Sequence, residues 1–137
     1  MKKFIIMGCV ALFGLMIVSC GKYEEGPAVS LLTKKQRLTG DWTLESYSSD
    51  GVDLTSQMQA VVGSSFEWQI EKDGHYHMTG NINQSGTWEL GEDKDDVRFT
   101  PDTGSVDSYR ILRLKNKELK LRYTNSNGTY DIFELKQ

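Results

Sequence analysis

From residue 40 onward, apolar side chains recur at every second position in short runs. Phe66, Trp68 and Ile70 share one face of FEWQI, and Trp88 and Leu90 share one face of TWEL. Val97 aligns with Phe99, Leu119 with Leu121 and Tyr123, and Tyr130 with Ile132, leaving Phe133 on the opposite face. A period of two marks strands with one buried face, not helices. Turn-forming residues at 73–74, 83–86, 91–96, 102–104, 116–117 and 125–128 separate the runs. The pattern predicts eight strands, near residues 41–48, 65–71, 75–81, 86–90, 96–100, 107–115, 118–124 and 129–135. Neighbours joined by hairpin-length loops pair antiparallel and in sequence. The expected fold is therefore all-β, an eight-stranded antiparallel up-and-down barrel, which leaves no exposed sheet edge.

Two segments break the period. Residues 31–38, LLTKKQRL, read as a short amphipathic helix just before the first strand. Residues 54–62 place Leu54, Met58, Val61 and Val62 at helical spacing, with Gly63 as a stop. This is the only long connection between strands, and a helix there is expected to lid one mouth of the barrel.

The first 30 residues belong to a different kind of segment. Lys2 and Lys3 precede the uncharged residues 4–18. Fifteen helical residues span about 22 Å, short of the ~30 Å hydrocarbon core, so a signal peptide over 1–19 is the better reading than a membrane span. The segment ends in Ile17-Val18-Ser19-Cys20, which resembles the bacterial lipoprotein box. The resemblance implies that the Cys20 thiol takes a diacylglyceryl group and that the chain is cut before it. The new amine is then open to acylation, for instance by palmitate. One acyl chain holds a protein to a bilayer only marginally, whereas two or more anchor it stably. Residues 20–30 read as the lipidated cysteine and a flexible tether, broken by Gly21, Gly26 and Pro27. Lys22, Glu24 and Glu25 resemble the short charged signal that sends some Gram-negative lipoproteins to the cell surface; they read equally as a solvated linker.

Cleavage removes Lys2 and Lys3, which leaves 14 basic residues against 19 acidic ones and a mature net charge of −5. Such a chain is a poor partner for nucleic acid or anionic headgroups, so membrane contact is expected through the lipid. Both cysteines, Cys9 and Cys20, precede residue 21, so the domain over 31–137 has neither disulfide nor thiol chemistry.

GDWTL at 40–44 returns as GTWEL at 86–90. In both, the glycine is expected to let the chain turn into the barrel wall and the tryptophan to point inward. The first copy, with the short helix before it, resembles the Gly-x-Trp signature that opens lipocalins and related calycin barrels. It is also similar to the lipocalin-like domains of small bacterial lipoproteins. The resemblance covers about residues 31–137 and implies a barrel with a possible hydrophobic pocket and Trp42 closing its base. The family often stacks an arginine on that tryptophan; Arg113 and Arg122 are both available here. The second Gly-x-Trp is no part of the lipocalin signature, and the long C-terminal helix and the disulfide of secreted lipocalins are missing.

An eight-stranded barrel is just wide enough to be filled by side chains or to hold one small ligand. If it holds one, the candidate contacts are Trp42, Met58, Val62, Phe66, Trp68, Trp88 and Phe99. If it is filled, the aromatic residues among these are core. His75 and His77 form an H-x-H pair on one strand face, opposite Tyr76, and are weak metal candidates against the reading of two solvent-facing histidines. The acidic run GEDKDD lacks calcium-loop spacing and reads as a soluble turn. No nucleophile, zinc-protease or phosphate-loop motif occurs, so no enzyme and no cofactor beyond the Cys20 lipid are expected. Two functions stay open. One is a lipid-anchored barrel in the bacterial outer membrane, periplasmic or surface-exposed, that binds a small apolar ligand. The other is a filled barrel that binds an envelope protein, as an inhibitor or an accessory subunit.

Overall fold

A computed structural model describes residues 32–137. The expected signal peptide, Cys20, the tether and the start of the first helix at Leu31 lie outside the described residues.

The chain runs α1 (Lys34–Leu38), β1 (Gly40–Ser49), β2 (Val52–Asp53), α2 (Thr55–Val62), β3 (Glu67–Ile70) and β4 (His75–Thr79). It continues through β5 (Gln84–Leu90), β6 (Asp96–Pro101), β7 (Asp107–Leu114), β8 (Glu118–Thr124) and β9 (Tyr130–Lys136). β2 is a two-residue ribbon on the end of β1. The other eight strands pair antiparallel in sequence order, and β9 pairs back onto β1 from Thr43 to Ser49. The sheet is thus a closed eight-stranded antiparallel barrel with two short helices, as the alternation predicts.

The barrel has one plugged end. Thr33 and Gln36 cap α1 reciprocally: the Gln36 N–H donates to Thr33 Oγ1 at 3.1 Å and the Thr33 N–H to Gln36 Oε1 at 2.9 Å. Leu38 is fully buried, its carbonyl accepts from Trp42 Nε1 at 2.9 Å, and Arg37 Nη1 donates to the Leu114 carbonyl at 2.7 Å. Lys34 reaches the acidic turn, donating to the Lys94 carbonyl at 2.8 Å and to Asp95 Oδ1 at 3.0 Å. The acidic turn therefore anchors α1 as well as solvating a hairpin. Below the helix, Trp42, Ile70, Trp88, Val97, Phe99, Ile111, Leu114, Leu119, Leu121 and Leu135 form one continuous core.

The other end is built differently. β1 pairs with β3 only through Gly40, Asp41 and Trp42. Beyond Trp42 the two strands part, and α2 occupies the gap. Thr55 takes over part of β3's bonding there. Its hydroxyl accepts from the Tyr47 N–H at 3.0 Å and lies 3.3 Å from the Tyr47 carbonyl, while the Leu54 N–H donates to that same carbonyl at 3.0 Å. A strand's unpaired polar groups are satisfied this way without a neighbouring strand. The far end of α2 is tied to the β4–β5 turn, where the Asn81 N–H donates to the Val62 carbonyl at 2.8 Å.

The structure corrects three details. The two Gly-x-Trp glycines do not share one role. Gly40 has φ +146°, a conformation that favours glycine, but Gly86 has no positive φ. Gly86 is required because a Cβ there would run into the Thr100 carbonyl and the Pro101 backbone of β6. In β9 the buried face is Phe133 and Leu135, not Tyr130 and Ile132. Arg113 serves Glu118 and Glu134, at 3.5 and 3.9 Å, and Arg122 alternates outward between Leu121 and Tyr123. Among the described residues, Lys35 is a cation over an indole, 5.8 Å from the Trp88 ring.

Candidate functional site

The parting of β1 from β3 leaves a cavity of about 360 Å³ under α2, open on one side. That lies near the lower end of the ~300–1,000 Å³ range of small-molecule pockets. α2 contributes Met58, Val61 and Val62; the barrel wall contributes Leu44, Phe66, Trp68, Met78, Tyr109, Phe133 and Leu135; Ile82, Gln84 and Asp107 complete the lining. Aromatic rings make its floor continuous. Trp68 lies 4.7 Å from Phe99 and 5.9 Å from Tyr109, and Tyr109 lies 5.9 Å from Phe133.

Four of the seven candidate contacts, Met58, Val62, Phe66 and Trp68, come together here. The other three do not line the cavity. Trp42 sits against α1, and Trp88 lies beneath Lys35 with its Nε1 donating to the Glu71 carbonyl at 2.8 Å. Phe99 is fully buried one layer deeper, packed on Trp68 and on Tyr76 at 5.1 Å. The barrel is therefore filled in one half and hollow in the other.

The three indoles differ in a telling way. Trp42 and Trp88 donate to backbone carbonyls, whereas Trp68 Nε1 is buried with no hydrogen-bond partner. An unpaired buried donor costs about 1–3 kcal/mol. Burial holds the Tyr109 phenol far above its ordinary range, reinforced by the nearby Asp107 charge. Burial alone pushes the Asp107 carboxyl up, and no cation offsets it.

Sequence alternation missed Tyr109, Phe133 and Asp107. β7 bulges between Ile111 and Arg113, so the inward positions shift from Asp107, Tyr109 and Ile111 to Leu114. The usable clue was the D-S-Y-R-I stretch, which alternates cleanly before the bulge.

His75 and His77 point outward while Tyr76 between them is buried. His75 Nδ1 lies 3.2 Å from Asp73 Oδ2, and His77 contacts Ser85 Oγ at 2.9 Å and Glu71 Oε1 at 3.7 Å. Among the described residues, no three His, Cys, Asp or Glu side chains converge to hold a metal ion.

The fold and cavity together define a closed antiparallel barrel with a lidded apolar pocket, an architecture compatible with a lipocalin-like fold. The sequence matches no protein-family model and no curated protein.

Proposed function

We propose that this protein is a lipid-anchored, lipocalin-like lipoprotein of the bacterial outer membrane that binds a small hydrophobic ligand without chemical turnover. The observation that carries the reading is the half-hollow barrel. An apolar cavity of about 360 Å³ is kept open beneath a helix, in a domain whose other half is packed solid. An unfilled apolar space loses dispersion contacts, a standing cost that ligand binding recovers. Anchoring rests on the sequence around Cys20, and non-enzymatic function on the missing nucleophile motifs. α2 acts as the gate, with Met58 and Val62 over the ligand and Phe66 and Trp68 beneath it.

Native mass spectrometry of the unacylated mature chain (residue 20 onward, Cys20→Ser), exported to the periplasm and purified gently, tests the ligand. A retained mass that leaves on denaturation is expected. In parallel, labelled palmitate is expected to enter the wild-type protein and not the Cys20→Ser variant. A clean apo mass would favour the alternative, a protein-binding module. Its contact surface would include the exposed Val52, Val61 and Val106.

A further inference from the structure

Asp107 is the only charged side chain that lines the cavity among the described residues; no Lys, Arg or His does so. It stands at an inward position of β7, two residues before Tyr109. A second carboxylate follows the same inward parity: Asp131 precedes Phe133 and Leu135 on β9, and its Oδ1 is buried with no hydrogen-bond partner. The charge of Asp131 reaches Tyr47 and Tyr109. The remaining polar groups of the lining are neutral: the Gln84 amide, the Tyr109 hydroxyl and Trp68 Nε1.

From this charge pattern we infer that the cavity selects a hydrophobic cation, an apolar body carrying an ammonium group, over a fatty acid or other hydrophobic anion. The inference rests on the ligand-binding reading above and names its ligand class. A partly buried carboxylate with no cation among the lining residues repels an anionic head and is stabilised by a cationic one. The rings of Phe66, Trp68, Tyr109 and Phe133 add a second attraction, because aromatic faces bind ammonium groups. The burial that disfavours ionised Asp107 in the empty cavity is offset once an ammonium group pairs with it.

The test titrates the unacylated mature chain at neutral pH with three probes of equal chain length: decylammonium, 1-decanol and decanoate. Tryptophan fluorescence and calorimetry report binding. Decylammonium is expected to bind at least about tenfold tighter than decanoate, with decanol between them. Asp107→Asn is expected to weaken decylammonium by about fivefold or more while changing decanol little. Gln84→Lys, which adds a cation to the lining, is expected to invert the order of decylammonium and decanoate, and it provides the charge test if Asp107→Asn does not fold. Decanoate or decanol binding as tightly as decylammonium overturns the cation assignment and leaves a hydrophobic binding protein standing. Unchanged decylammonium affinity in Asp107→Asn overturns it too, since the cation then binds elsewhere on an acidic surface. Saturable binding of none of the probes overturns both the assignment and the binding reading.

Discussion

Tyr109 shows how one side chain joins the solid and hollow halves. Its ring packs against Phe99 at 5.8 Å, Tyr123 at 5.5 Å and Phe133 at 5.9 Å, and its phenol is held neutral by burial. A phenol whose folded pKa lies above its ordinary 10.0 contributes stability that is complete below that value and lost as pH rises through the folded value. Tyr47 and Tyr76 are shifted in the same direction, chiefly by burial. Thermal unfolding measured from pH 9 to pH 12 is therefore expected to show a steep loss of Tm above about pH 10. Tyr109→Phe is expected to make that loss shallower; an unchanged alkaline slope in this variant would contradict the buried phenol.

At the scale of elements, β5 pairs with β6 through Gly86 opposite Pro101. No side chain fits there because the β6 backbone occupies the space. Gly86→Ala is expected to cost at least about 2 kcal/mol, typical of overpacking against an unyielding neighbour. Chemical denaturation followed by tryptophan emission measures it. Gly51→Ala is the useful contrast, since a Cβ there meets nothing and the cost arises only from its positive φ of 80°. A Gly86→Ala variant as stable as the parent would mean that β5 and β6 can separate. α2 depends less on its own sequence than on its docking. Its N-cap residue, Leu54, offers no side-chain cap, and its ties include the Leu54–Tyr47, Thr55–Tyr47 and Asn81–Val62 bonds.

For the molecule as a whole, β9 pairs back onto β1 to close the barrel, and where β1 and β3 part, Thr55 and Leu54 bond to the Tyr47 backbone in place of a strand. What the fold does not satisfy is the charge inside the cavity. A carboxyl with a raised folded pKa stabilises the fold fully below its ordinary value of 3.8 and loses that contribution as pH rises through the folded value. Ionising Asp107 in the empty barrel is thus destabilising. Asp107→Asn is expected to raise the Tm of the ligand-free chain at pH 7, with the gain fading near pH 4. A variant that is more stable yet binds worse would be the signature of a residue kept for its ligand.

The eight barrel strands, most of the turns between them, both helices and closure into a barrel were legible in the sequence, because alternation and turn chemistry act over a few residues; the short β2 was not, and residues 84–86, expected in a turn, belong to β5. Met58, Val62, Phe66 and Trp68 were legible as inward-facing for the same reason. Other facts belong to the tertiary structure alone. Ile132 and Phe133 are adjacent apolar residues, and only the register that sets Phe133 opposite Leu121 decides which of them is buried. The bulges in β1 and β7 reverse the inward parity partway along each strand, and bulges answer to neighbours distant in sequence. The cavity is the least local feature of all. It is the difference between the volume eight strands enclose and the volume their side chains fill, and the short β1–β3 pairing determines where that difference is left.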